Sequence, residues 1–287
     1  MNPSRPAPSP SSPEPSLPPA EPIPPHLLLR RALGIATHLA AGLARFRLLS
    51  RHTPLTERAA LLQRLCRALV CEFGIEPVPT GFPSPPAGRG SLLVANHVGF
   101  TDILVLGSLH PIVFVSKADV ARWPIIGPIA KAAGTLFVQR EKRGDVARVN
   151  QALAQTLASG VHIALFPEGT SSDGETVLPF QPSLLQPAID LAAPITPVHL
   201  RYHESSGARI DEIAYFGDRL LADCLRALIL RRQTLCSVRY GNTTPAETPR
   251  KPLALRLREE VLSLAPRDQT PPPSILSKST ARFAGNP

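Results

Sequence analysis

From residue 91 onward the chain alternates short, near-continuous apolar runs with longer segments of helical spacing, and that alternation constrains its fold most. LLVA within SLLVAN (91–96) and IALF within VHIALF (161–166) are apolar at consecutive positions, as in strands buried on both faces. IVFVSK (112–117), TLFVQ (135–139), PITPVHLRY (194–202), EIAYFG (212–217) and LCSVRYG (235–241) read as further strands. DILVLGSL (102–109), LLADCLRALILRR (220–232) and PLALRLREEVLSL (252–264) read as helices. So does the stretch from Gly144, with Val146, Val149, Leu153 and Leu157 on one face and Gly160 as its stop. Residues 119–134 are expected to be helical toward their C-terminal end, because Pro124 and Pro128 break the start. The pattern predicts an α/β fold with a mixed, partly parallel sheet flanked by helices.

The ends follow no such pattern. Residues 1–25 hold 11 of the 34 prolines, and Pro271, Pro272 and Pro273 stand in a row near the other end. Segments so poor in apolar periodicity cannot offset their ordering entropy, so 1–25 and 265–287 are expected to be disordered tails. About 240 residues remain, enough for one α/β domain with a sizeable core. The formal net charge of +9 predicts an anionic partner. Aromatic residues make up only 5% of the chain, and neither zinc-type spacing nor an RNA-binding signature is present, which sets nucleic acid aside. Cys66, Cys71, Cys224 and Cys236 form no C-x-x-C pair, and free thiols in a reducing cytosol are the plain reading.

Ahead of the domain, residues 26–72 read as a helix pair. Between Arg31 and Arg45 lie 13 residues without a formal charge. As a helix they span about 20 Å, short of the ~30 Å of a hydrocarbon core. Leu61, Leu62, Leu65, Leu69 and Val70 give the second helix an apolar face, and residues 26–71 carry eight arginines against one acid, Glu57. Such a pair suits an anionic bilayer surface. The plainer alternative is that both helices pack on the domain. A signal peptide fits less well, since the apolar run starts after some 25 tail residues.

The polar groups of interest follow the buried strands, where α/β sheets collect them. In NHVGFTD (96–102), His97 ends one strand and Asp102 opens the next helix. A tight loop brings the carboxylate back onto one ring nitrogen, fixes the tautomer and leaves the other nitrogen free as a base. Spacing alone is weak: His52 with Glu57 and His199 with Glu204 have the same separation. Asp102 as a helix cap beside a structural histidine is the rival reading. A second strand runs into FPEGTS (166–171), where Gly169 allows close backbone approach and neighbouring N–H groups can hold an oxyanion. GTLFVQR (134–140) ends a strand in Arg140, and APITPV (193–198) is a proline-bounded buried strand.

Together, in this order, these four blocks resemble the glycerolipid acyltransferases typified by 1-acylglycerol-3-phosphate acyltransferase, over roughly residues 75–245. The resemblance implies that His97 is a general base oriented by Asp102. It implies that Arg140 and Lys117 meet the acceptor's phosphate, and that Glu168, Gly169 and Thr170 line the acceptor or transition-state site. It also implies an acyl-CoA or acyl-carrier protein co-substrate, a membrane lysolipid as acceptor, and a place on the cytoplasmic face of the membrane. The first acceptor implied is 1-acylglycerol-3-phosphate, giving phosphatidate. Two positions depart from the family pattern. Ser171 stands where arginine is usual, and Gln181 where an F-K-x-G pattern has lysine. Both changes remove positive charge near the acceptor. A related branch acylates lyso-ornithine lipid, which carries no phosphate, and a lysolipid transacylase on the same scaffold is a further alternative. No metal-ligand constellation and no G-x-S-x-G elbow is present, so neither a metal, another cofactor nor an acyl-enzyme is expected.

Overall fold

The computed structural model describes residues 23–81, 88–139, 144–246 and 249–266. The expected tails lie outside these residues except at 23–25 and 265–266, and Arg140 lies outside them too. Eight strands form one sheet: β1 (Ile75–Thr80), β2 (Leu92–Ala95), β3 (Ile112–Lys117), β4 (Leu136–Val138), β5 (His162–Leu165), β6 (Pro194–His203), β7 (Thr234–Tyr240) and β8 (Thr244–Pro245). Their order is β1-β7-β6-β2-β5-β3-β4, with β8 beside the start of β6. All pairings are parallel except those of β6 with β7 and β8. The alternation predicts a mixed, partly parallel sheet, and the sheet is mixed and mostly parallel. All four residues of β2 are buried, as a strand with helices on both faces requires.

Helices cover both faces. On one side α5 (Asp145–Ala158), α6 (Gln186–Asp190) and α8 (Arg250–Ser263) close over Leu92, Val94, Ile163, Leu165 and Ile195. On the other, α2 (Leu55–Glu72), α3 (Phe100–Leu109), α4 (Ile126–Ala133) and α7 (Leu221–Leu230) pack over Leu93, Ala95, Phe114 and Leu200. Within α5, Val149, Leu153 and Leu157 form the buried stripe expected, and Gly160 leaves the helix with φ +81°.

Three expectations change. Residues 212–217 form no strand: Ala214 N–H turns back to Asp211 O, Gly217 takes φ +58°, and Ile213 and Ala214 are buried as a loop. Apolar residues there fill a gap behind the His97 loop rather than extend the sheet. IEPVPT, not read as a strand, is edge strand β1. It pairs only with β7, and Pro77 and Pro79, two apart, share the side where a missing N–H harms no ladder.

The third concerns the helix pair, since a boundary at residue 72 cuts through one core. Leu61, Leu62, Leu65, Leu69 and Val70 of α2 are buried with α3 and the sheet, so its apolar face is not available to lipid. Several arginines also point inward. Arg67 donates to the Ser108 carbonyl near the end of α3 (2.9 Å), and Arg58 to Ala132 O of α4 (3.2 Å). From α1 (Pro25–Arg47), buried Arg31 donates to the carbonyls of Ile229, Arg231 and Arg232 at the end of α7. Cations at helix C-termini satisfy carbonyls that have no partner within the helix. Of the pair, α1 keeps an exposed apolar face, with Leu29 and Leu33 about 60% exposed. It is long and apolar enough to cross a membrane by length and composition.

Candidate active site

The parallel strands β2, β5, β3 and β4 end at one edge of the sheet, so the residues that follow them converge. His97 follows β2, Glu168 follows β5, and Lys117 ends β3. β2 stops two residues before His97 because the Asn96 side chain takes over its pairing. The Asn96 amide donates to Leu200 O (3.0 Å) and accepts from Leu200 N–H (2.7 Å), pinning the buried loop to β6.

The loop returns on itself within five residues. His97 Nδ1 lies 2.8 Å from Asp102 Oδ2. The same oxygen accepts from Val98 N–H (2.6 Å) and Gly99 N–H (3.0 Å), which fixes the loop before α3. Asp102 Oδ1 accepts from the Tyr202 hydroxyl at 2.8 Å. Four donors thus compensate the burial of a carboxylate that is 0% exposed, three on Oδ2 and one on Oδ1. Asp102 is both the helix cap and the partner of His97, so the two rival readings of its position are one arrangement. The equally spaced pairs differ: among the described residues His52 does not bond Glu57, and Glu204 pairs with Arg231 (2.7 Å).

The His97 ring stacks on Phe166, with centroids 4.3 Å apart and planes at 20°. Its side chain is 22% exposed, and Nε2 has no protein partner among the described residues. The ring is therefore held at Nδ1 and on one face, with its second nitrogen toward the open edge.

Glu168 lies directly beside His97. Its buried carboxylate accepts from His97 N–H (2.7 Å) through Oε1 and from Leu178 N–H (3.0 Å) through Oε2. It braces the backbone of His97 against the 168–178 loop. Burial pushes its pKa up to about 7, against the two N–H bonds and His97, which favour the anion. Gly169 takes φ +73°, which its lack of a side chain permits, and its N–H donates to Phe166 O (3.1 Å). That N–H is committed to the turn and is not an oxyanion donor. Thr170 is exposed, and its N–H has no acceptor among the described residues. Lys117 is exposed two strands from β2, roughly 10 Å away laterally at the usual strand spacing. The Ser171 hydroxyl donates to Tyr215 O, while Tyr215 N–H donates to Val98 O (3.0 Å). The 212–217 segment, read from sequence as a strand, thus ties both halves of the site together.

The sequence reading missed Tyr202 and the Ser172 N–H bond to His97 O (2.8 Å). Alternation puts Tyr202 on the face of β6 that carries Val198 and Leu200, but only the structure shows that β6 outruns β2 toward the His97 loop.

A sequence profile for the acyltransferase family matches residues 73–201, which include His97, Asp102, Lys117, Glu168, Gly169 and Thr170 but not Tyr202. The chain is 38% identical over 214 residues to the lyso-ornithine lipid O-acyltransferase of Pseudomonas aeruginosa, covering 71% of this chain and 79% of that protein. It is 34% identical over 169 residues to the 1-acyl-sn-glycerol-3-phosphate acyltransferase of Neisseria gonorrhoeae, covering 59% of this chain and 65% of that one. The chain thus spans just under two thirds of the Neisseria relative's length. The crystal structure of the acyltransferase PlsC from Thermotoga maritima superposes with a TM-score of 0.61 at 18% identity, over 82% of this chain and 92% of that one, and so shares the fold. With the profile lying across the His97 edge and the Pseudomonas protein matched over most of its length, the chain belongs to the glycerolipid acyltransferase family.

Proposed function

We propose that the protein transfers a fatty acyl group from a thioester, acyl-CoA or acyl-carrier protein, to the hydroxyl of a lysolipid. The observation that carries this reading is the His97–Asp102 pair, with Nδ1 held at 2.8 Å and Nε2 free of protein partners among the described residues. Nε2 takes the proton of the acceptor hydroxyl as its oxygen attacks the thioester carbonyl. The Asp102 carboxylate stabilises the imidazolium that forms. The tetrahedral intermediate collapses, the carbon–sulfur bond breaks, and the leaving thiolate takes the proton back from His97. The N–H of Thr170 is a candidate donor to the intermediate's oxyanion. Lys117 and Arg140 are the basic residues proposed to meet an acceptor phosphate.

The acceptor read first is 1-acylglycerol-3-phosphate. Lyso-ornithine lipid is the second reading, favoured by Ser171 and Gln181, which leave the acceptor side two positive charges short of the family pattern. The exposed face of α1 and the basic balance of the chain support docking on the cytoplasmic, anionic face of a membrane.

Labelled acyl-CoA and acyl-carrier protein, offered with lysophosphatidate and with lyso-ornithine lipid, test the reaction and its acceptor together. Product on lysophosphatidate supports the first acceptor, and product on lyso-ornithine lipid alone supports the second. The double variant Ser171→Arg/Gln181→Lys is then expected to lower KM for lysophosphatidate and leave that for lyso-ornithine lipid unchanged. Absence of transfer to either acceptor contradicts the proposal.

A further inference from the structure

The connection after β3 carries a feature that packing does not explain. Ile125 has φ +65° and ψ −60°, and Ile126 N–H reaches back to Pro124 O at 2.7 Å. This is a γ-turn of the strained hand, which a β-branched side chain tolerates poorly. The strain serves no burial: Ile125 is 44% and Ile126 38% exposed, and Pro124 and Pro128 are exposed beside them. Backbone strain that packing does not reward concentrates at sites of function.

The fold fixes where this turn lies. β3 and β4 are parallel neighbours, so α4 must run back from the C-terminal ends of the strands to their N-terminal ends. Its first residue, Ile126, therefore stands at the edge that carries His97 and Glu168. The backbone just after the turn packs closely, since a Cβ on Gly127 would come 2.5 Å from Ala121 O. α4 also packs against α1, which puts the turn on the side of the sheet where α1 exposes Leu29 and Leu33. Exposed Arg122 precedes the turn, exposed Lys117 lies at its root and Asp119 between them, so the flank is net basic. A half-buried indole, Trp123, opens it. An apolar tip with an indole and cations at its base matches the layering of a bilayer interface.

We propose that residues Trp123–Pro128 form a preformed lipid-contacting turn that dips into the bilayer surface and sets the catalytic edge against the membrane from which the acceptor is drawn. The inference rests on the reading of the acceptor as a membrane lipid. Its test needs no acyl transfer, so the two can fail separately.

Trp123 is the chain's only tryptophan and reports the turn directly. The full chain would be mixed with phosphatidylcholine/phosphatidylglycerol vesicles whose acyl chains carry bromine, which quenches indole at short range. Trp123 emission is expected to fall on vesicle binding. Ile125→Asp/Ile126→Asp is expected to abolish the quenching and weaken vesicle partition by roughly tenfold or more, as two isoleucines lose their apolar contact. Ile125→Gly keeps the result interpretable if the double variant fails to fold. It is expected to melt at or above the wild-type temperature, because the strain is relieved, yet to partition more weakly. Vesicle-bound protein with unquenched Trp123 would overturn the proposal, as would full quenching in a folded aspartate variant.

Discussion

At the scale of single residues, His97 is defined by what holds it: a carboxylate at Nδ1, an aromatic face at Phe166 and a glutamate on its backbone. Tyr202 contributes through Asp102. Tyr202→Phe removes one hydrogen bond to a buried carboxylate and is expected to lower kcat about tenfold, with KM little changed. Steady-state kinetics on the purified variant check this, and an equal loss in KM would place Tyr202 against substrate instead. Glu168 makes stability depend on pH. Its folded pKa, about 7, stands above the unfolded value of 4.5, so its contribution is complete below pH 4.5 and is lost as pH rises through 7. Glu168→Gln removes that dependence. The melting temperature of the variant relative to wild type is therefore expected to improve steadily from pH 5 to pH 8. A difference that stays constant across that range would mean that Glu168 is not held protonated by burial. Of these groups, His97 and Asp102 were legible in the sequence because five residues of loop suffice to join them. Tyr202 was not, because its contact is made across two strands nearly a hundred residues apart in sequence.

At the scale of elements, the legible parts were those with one strong local signal. The stripe of α5, the continuous apolar runs of β2 and β5 and the proline-delayed start of α4 all formed as their spacing predicts. The loop at 212–217 and the role of α2 were decided by tertiary packing. An amphipathic basic helix looks the same in sequence whether it faces lipid or a sheet. Only the contact partners of Arg58, Arg67 and the leucines separate the two cases. The packing of α2 on α3 is close: a Cβ on Gly107 would meet Cys66 Sγ at 2.7 Å. Gly107→Val is therefore expected to destabilise the fold by about 1–3 kcal/mol in urea unfolding, as overpacked cores do. A neutral effect would mean that the two helices slide apart without cost. Arg31→Met leaves three carbonyls near the end of α7 without this donor. It is expected to release the start of α1 to limited proteolysis while α2 stays protected, and equal protection of both helices would contradict Arg31 as the tether.

For the whole molecule, sheet topology gathers the chemistry at one edge, and α1 and the 123–128 turn expose apolar surface on one side of the sheet. Binding to phosphatidylglycerol vesicles is expected to weaken as salt rises, since a net charge of +9 supplies much of the attraction, and to persist in part through apolar contact. A sedimentation series in salt reads this, and salt-independent binding would leave the basic surface without a role. The central claim is that one imidazole does the proton work of acyl transfer. Its most direct test is the turnover of labelled acyl-thioester with lysophosphatidate or lyso-ornithine lipid by wild-type protein and by a folded His97→Ala variant. The account predicts a loss of at least about 10²–10⁴-fold in kcat, the contribution of a positioned base. An alanine variant turning over within a few-fold of wild type would contradict it.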